Sequence, residues 1–320
     1  MGKHKVPRTL IEAVSYFADQ DVAHDFFVQL RWPNGAACPH CGNAIVAYMP
    51  NYRRWTCKEC RLAKTSSGQF TAKTGTIFED SPISFSKWLP AIWLLTATRN
   101  GTSSCELARA LGVTQKTAWF MLHRIRETLA EDDGFALDGP VEADETYVGG
   151  LSKKMNAKRR ARFSRSKSGQ EKVAVFGMVE RNMPGKPKGR ARAFVVPFVE
   201  KEFIQGGLRK YVTPGDEIHT DGHPVYKTLK RDFMHHVIDH AYAYVQGHVH
   251  TNSIESFFSV FKRTIRGTYI APRPKHLHRY VAEQVSRFNE RESTDGYRFF
   301  LATKKADGKR LTYRQLTRNR

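Results

Sequence analysis

Val141-Glu142-Ala143-Asp144-Glu145-Thr146-Tyr147-Val148 alternates as a half-buried β-strand does, so Glu142 and Asp144 point to one face and Glu145 to the other. The chain changes character at this stretch. Upstream, residues 9–32 and 85–130 carry helical periodicity, and 134–140 reads as a linker. From residue 141 onward short β-type runs follow at 173–180, 193–199 and 217–220, and helical patterns return at 252–266 and 275–290. The C-terminal half therefore mixes strands and helices, where the first half is helical.

Two further acids sit where this core would expose them. Ile218-His219-Thr220-Asp221-Gly222 reads as a strand ending in a carboxylate, with Gly222 making the turn and Tyr226 on the segment beyond. His250-Thr251-Asn252-Ser253-Ile254-Glu255-Ser256-Phe257-Phe258-Ser259-Val260-Phe261-Lys262-Arg263 reads as a helix. Glu255 and Lys262 lie about two turns apart on one face at ~3.6 residues per turn, opposite an apolar stripe of Ile254, Phe257, Phe258 and Phe261. Carboxylates from adjacent strand ends and a helix can hold two Mg²⁺ or Mn²⁺ ions roughly 3.5–4 Å apart, a centre suited to phosphodiester chemistry. Glu145, His219, His223 and His250 flank these positions and are read as structural neighbours.

Charge points the same way. Against 52 Lys and Arg stand 31 Asp and Glu, a net +21, which calls for a polyanionic partner such as nucleic acid. The 320 residues suffice for two or three domains, and a 40% hydrophobic content supports an ordinary core. No apolar run reaches the ~18–20 residues of a membrane span. The basic start at residues 1–8 leads into no signal-like apolar segment, so a soluble cytoplasmic protein is expected. Two basic stretches, 153–172 and 181–192, read as a loop between the first two strands and a hairpin tip able to meet phosphates.

Four of the five cysteines form Cys38-Pro-His-Cys41 and Cys57-Lys-Glu-Cys60, separated by a stretch bearing Tyr48 and Trp55. Two such knuckles complete a tetrahedral four-thiolate site, which predicts one structural Zn²⁺ in a zinc ribbon, with His40 a bystander. Further on, Ser103 to Leu122 fits a helix-turn-helix. The first helix runs to Leu111, Gly112 supplies the turn, and Thr114 caps a second helix containing Ala118, Trp119, Leu122 and Ile125. Gln115, Lys116 and His123 are expected to face a DNA groove, with Arg124 and Arg126 near phosphates and Cys105 in the core.

Taken in order, the cysteine pairs, the helix-turn-helix, Val-Glu-Ala-Asp-Glu-Thr-Tyr-Val-Gly-Gly, His-Thr-Asp-Gly and the His250–Arg263 stretch resemble the IS1595-type (ISXO2-like) insertion-sequence transposases from about residue 15 to 295. That resemblance implies a multidomain chain in which the zinc ribbon and helix-turn-helix are followed by an α/β RNase H-like core of the DDE transposase/integrase type. Asp144 matches the first acid, Asp221 the second and Glu255 the third, with Asn252 a rival for the third place; Lys262 would bind DNA phosphate near the reacting end. The implied organisation is an N-terminal helical segment (1–35), zinc ribbon (36–80), helix-turn-helix (81–133), catalytic domain (134–295) and basic C-terminal tail (296–320). The implied function is binding of terminal inverted repeats, then strand cleavage and strand transfer on double-stranded DNA, by a homo-oligomer in the bacterial cytoplasm at the nucleoid. A non-catalytic DNA-binding regulator and a metal-dependent nuclease without strand transfer are the alternatives.

Overall fold

The computed structural model describes residues 6–64, 67–130, 135–149, 172–185, 187–238, 250–270 and 272–318. Most of the basic stretch 153–172 therefore lies outside the described residues. The chain forms two compact units, one of residues 1–129 with 292–320 and one of residues 130–291.

The first unit opens with α1 (Leu10–Phe17) and α2 (Gln20–Arg31). The sequence reading had one continuous helical pattern here. Asp19 divides it, because its carboxylate accepts from the N–H groups of Asp21 and Val22 and starts a second helix. A three-stranded antiparallel sheet follows: β1 (Val46–Met49), β2 (Arg54–Cys57) and β3 (Gln69–Thr71), with α3 (Lys58–Leu62) after β2. Helix α4 (Phe85–Ala97) buries Trp88, Leu89, Ile92, Trp93 and Leu95, so it is apolar nearly all round and forms the centre of this unit. Helices α5 (Ser104–Leu111) and α6 (Gln115–Leu129) pack beside it. Ser103 and Glu106 form a capping box on α5, and Gly112 ends it at φ 60°.

Residues 296–318 pack into this unit and do not form a free tail. Helices α10 (Asp295–Lys304) and α11 (Tyr313–Thr317) belong to this unit. Phe299 is fully buried, 5.3 Å from the ring of Trp93 and 5.6 Å from that of Phe17, and Leu316 is buried as well. The basic residues outnumber these anchors in the sequence, but the anchors at helical spacing decide the packing.

The second unit is built on a five-stranded sheet of β4 (Val141–Gly149), β5 (Lys172–Glu180), β6 (Ala191–Val196), β7 (Glu217–Asp221) and β8 (Met234–Ile238). The strand order is β6-β5-β4-β7-β8. β5 runs antiparallel to both of its neighbours, β4 and β6, and β7 and β8 continue parallel to β4. Strand alternation splits the core in two. Val141, Ala143, Phe176, Met178 and Ile218 pack with α7 (Lys201–Tyr211) on one face. Val148, Val175 and Val179 pack with α8 (Asn252–Thr264) and α9 (Leu277–Asn289) on the other. Gly177, the ladder partner of Asp144, lies on the α8 face. A Cβ there would come within 2.7 Å of Phe258 and 2.9 Å of Ile254, so its absence lets α8 lie close against the sheet beside Asp144.

Candidate active site and metal centre

In the first unit, the sulfurs of Cys38, Cys41, Cys57 and Cys60 lie within 4.8 Å of one another. Cys38 to Cys60 and Cys41 to Cys57 are both 3.6 Å. A tetrahedron of Zn–S bonds of ~2.3 Å has edges of about 3.8 Å, so the four thiolates fit Zn²⁺. With all four positions taken by protein the metal is structural. Burial opposes ionisation of Cys38, but the N–H groups of His40 and Cys41 outweigh it and hold this thiol below its ordinary value. The first knuckle closes through Gly42 N–H to Cys38 O at 2.8 Å. At the second, Cys57 N–H donates to Gly68 O at 2.7 Å, and Gly68 sits at φ +71° with Cys57 O and Arg61 Cβ where a Cβ would go. His40 is exposed.

The helical hairpin departs from expectation on its outer face. Gln115 and Lys116 are exposed on the first turn of α6, but His123, Arg124 and Arg126 are buried. This corrects the reading of those three as DNA-facing. Arg124 Nε donates to Leu311 O at 3.0 Å and its Nη1 to Glu79 O at 2.8 Å, and its guanidinium stacks over Phe120. The two carbonyls that hold Arg124 lie 187 and 45 residues away in the chain, so no local pattern reports them. Cys105, expected in the core, is exposed.

In the second unit, the β4–β7 ladder pairs Val141 with Ile218 and Glu142 with His219. Two residues beyond that ladder on each strand stand Asp144 and Asp221, which strand alternation puts on the same face as Glu142 and His219. Helix α8 lies over that face and carries Glu255, whose Oε1 accepts from Thr251 Oγ1 at 3.0 Å. Burial, then the charges of Glu145, Asp221 and Glu255, push the Asp144 carboxyl up to about 7, against the pull of the Glu145 N–H that donates to it at 2.7 Å. The acids expected at the centre therefore act on one another. Asn252 is exposed at the first position of α8. Lys262, two turns beyond Glu255, lines a cleft of about 90 Å³ with Arg266, Tyr147 and Gly149 past the end of β4.

The neighbours divide by role. Glu145, on the opposite face of β4, accepts from Tyr226 Oη at 2.6 Å, and burial raises both groups. His223 donates its N–H to Asp221 Oδ1 at 3.1 Å. His219 is buried, 3.0 Å from Glu217 Oε1 and stacked on His236. His250 Nδ1 is 3.1 Å from Glu142 Oε1.

Glu142 is the residue the sequence reading passed over. Its carboxylate is fully buried and accepts from Ser253 N–H at 2.6 Å, Ile254 N–H at 3.0 Å, Ser253 Oγ at 3.1 Å and Arg181 Nε at 2.7 Å. It thus caps the N-terminus of α8 from a neighbouring strand, placing a negative charge at the positive end of the helix. The available signal was a second acid two residues before Asp144 on the same strand face.

Residues 136–289 match the ISXO2-like transposase domain, and residues 18–63 match the transposase zinc-ribbon domain. Over 266 residues the chain is 29% identical to an uncharacterized protein in transposable element ISH50 of Halobacterium salinarum, covering 78% of this chain and 84% of that protein. No solved structure matches the chain. Among the described residues no helix is long and apolar enough to cross a membrane. With the ribbon cysteines gathered and both matches in order, the chain carries the zinc-ribbon and ISXO2-like domains of the IS1595-type transposases.

Proposed function

We propose that this transposase works by DDE chemistry in an RNase H-like core, binding the terminal inverted repeats of its element and catalysing metal-dependent strand cleavage and strand transfer. One observation carries the reading: in a chain of net charge +21, Asp144 is buried within reach of the charges of Asp221 and Glu255, and burial first, with those charges after it, pushes its carboxyl up to about 7. Such a concentration of negative charge is relieved by divalent cations, and hard carboxylate oxygens suit Mg²⁺ or Mn²⁺. The strand order supports the fold assignment, with the first acid on the central strand and the second on its parallel neighbour.

Asp144, Asp221 and Glu255 would hold two ions. When bound, these would supply activation of the attacking water or 3′-hydroxyl and stabilisation of the leaving oxygen. The chain's own groups do the positioning. Glu142 fixes the start of α8, which sets where Glu255 stands. Lys262 and Arg266, a turn apart, offer cations to the DNA strand entering the site. Glu255 takes the third place over Asn252 because its charge already acts on Asp144 and an amide neutralises no cation. The α5–α6 hairpin presents Gln115 and Lys116 to the major groove, and the zinc ribbon stiffens the same unit. Two element ends must be handled together, so the active form is a homo-oligomer at the bacterial nucleoid.

The test is cleavage and joining on duplexes carrying the DNA that flanks the gene, with Mg²⁺ or Mn²⁺. Asp221→Asn should lose both cleavage and joining while keeping DNA binding, and Glu255→Gln should do the same. Joined products that survive Glu255→Gln and vanish in Asn252→Ala would transfer the third role to Asn252. Cleavage without joining by the wild type would mean a nuclease, and binding without either would mean a regulator.

A further inference from the structure

The outward face of α6 is largely covered by the chain's own C-terminal segment. Lys116, Phe120, Arg124 and Glu127 form one stripe along the helix at i, i+4, i+8 and i+11. Each meets that segment: Lys116 Nζ lies 4.9 Å over the Tyr313 ring, Phe120 packs edge-on to Tyr313 at 5.5 Å, Arg124 binds Leu311 O, and Glu127 O accepts from Lys309 Nζ at 3.0 Å. The segment is anchored. Thr312 and Gln315 form a capping box on α11, and Leu316 is 1% exposed.

This arrangement leaves the first turn of α6 as the part open to a duplex. A major groove about 12 Å wide that receives Gln115 and Lys116 must lay a phosphate backbone against whatever borders them. On one flank that border is Tyr313, which is 40% exposed, followed by the exposed Arg314 and Arg318. Charge settles what the border does. From residue 304 to 318, Asp307 alone is acidic, and it is paired with Arg31 at 2.8 Å; Lys304, Lys305, Lys309, Arg310, Arg314 and Arg318 are basic. A blocking strap over a DNA-binding helix would be expected to mimic DNA with acids, and this one carries the opposite sign.

We infer that the DNA-binding surface is composite: α11 and the turn before it form its flank, and Arg314 and Arg318 take phosphates of the same duplex that Gln115 and Lys116 meet. The inference rests on the reading of α6 as the DNA-facing helix. Phosphate contacts of this kind fix register on the duplex without reading its sequence.

The experiment is a salt titration of binding by the full chain to a labelled mixed-sequence duplex and to a duplex from the DNA flanking the gene. Arg314 and Arg318 are exposed, so Arg314→Ala/Arg318→Ala should leave the thermal unfolding curve unchanged. The slope of log K against log salt should fall in magnitude by about 1.8, from two phosphate contacts at ~0.9 each, on both duplexes alike. An unchanged slope would remove α11 from the interface. Tighter binding would make the segment a strap that blocks α6, which also overturns the inference. Gln115→Ala/Lys116→Ala on the same probes separates the two readings. If that pair weakens binding and the arginine pair does not, this inference alone falls. If neither pair matters, the assignment of α6 falls first. If only the arginine pair matters, the two patches are not one surface.

Discussion

Replacing Glu142 tests whether one buried carboxylate holds the reacting geometry together. Glu142→Ala removes the acceptor of the Ser253 and Ile254 N–H groups and of Arg181 Nε. The Arg181 side chain is only 12% exposed, so it keeps its charge in a site without its counter-ion. Breaking one side of a buried pair costs about 3–5 kcal/mol, and losing a helix cap about 0.5–2 kcal/mol. The two losses share one carboxylate and do not add, which sets the expectation at about 4 kcal/mol. Against a domain stability of about 5–15 kcal/mol, the unit should stay folded while the start of α8 frays.

Hydrogen exchange on the full chain reads this directly. The amides of Ser253 and Ile254 should exchange about a thousandfold faster, since each 1.4 kcal/mol is tenfold, and amides in the middle of β5 that exchange through global opening should speed up by no more than that. Glu142→Gln keeps the shape and one acceptor oxygen but turns an amide N–H₂ toward donors, so it should cost about half as much. Glu142→Gln/Arg181→Gln removes both charges and should recover part of that loss. DNA cleavage should fall with the exchange protection, because Ser253 and Glu255 lie on the same turn of α8. Unchanged exchange at Ser253 and Ile254 in Glu142→Ala would refute the reasoning, as would full loss of stability with no recovery in the double variant.

Cys57→Ser should lose stoichiometric zinc and unfold the ribbon, because a structural zinc supplies about 10–16 kcal/mol of folding free energy; zinc retained at wild-type level by metal analysis would end that role. Gly177→Ala should destabilise the second unit by about 1–3 kcal/mol in urea, with cleavage reduced, because its Cβ would meet Phe258 and Ile254. Gly206→Ala, in open space on α7, should be neutral or slightly stabilising, and equal effects at the two sites would dismiss the close-approach argument. Burial, then the charges of Lys230 and His236, push the His235 imidazole down to about 4, with its Nε2 2.8 Å from Thr220 Oγ1. The fold therefore holds His235 neutral while the unfolded chain takes up a proton below ~6.5, so stability is intact above that pH and falls toward pH 4, by about 3 kcal/mol. His235→Asn should flatten the curve over that window, and an equally steep curve would assign the acid sensitivity elsewhere.

Local patterns wrote much of this fold. The alternation around Asp144 gave β4 almost to the residue, the apolar stripe gave α8, and the paired cysteines gave the ribbon. β8 escaped because Met-His-His-Val-Ile is short and carries two histidines, and α7 because Gly206 and Gly207 weaken its helical signal. The partner of Glu142 lies 111 residues away and that of Arg124 lies 187 away. Local periodicity holds no information at those separations. A polar residue whose partner is remote reads as surface, which is why Arg124 was assigned to DNA and Glu142 to nothing.

The position of β4 explains why the acids can be held to tolerance without a rigid loop. The strand is central, antiparallel to β5 and parallel to β7, so its backbone is tied on both sides. Glu142 and Asp144 project from one face about 6.6 Å apart, two residues at ~3.3 Å each. The first is spent on the start of α8 and the second stands in the acid cluster. Asp221 is set by the β4–β7 ladder, and Glu255 by a helix whose first amides are bonded to β4 itself. All three acids are thus referred to one strand, through a ladder, a buried carboxylate and the absence of a Cβ at Gly177. On the proposed reading, loops outside this frame can vary in length and charge without moving these three carboxylates. Substitutions at Glu142 or Gly177, which touch no substrate, should therefore cost more activity than most changes in the basic loops.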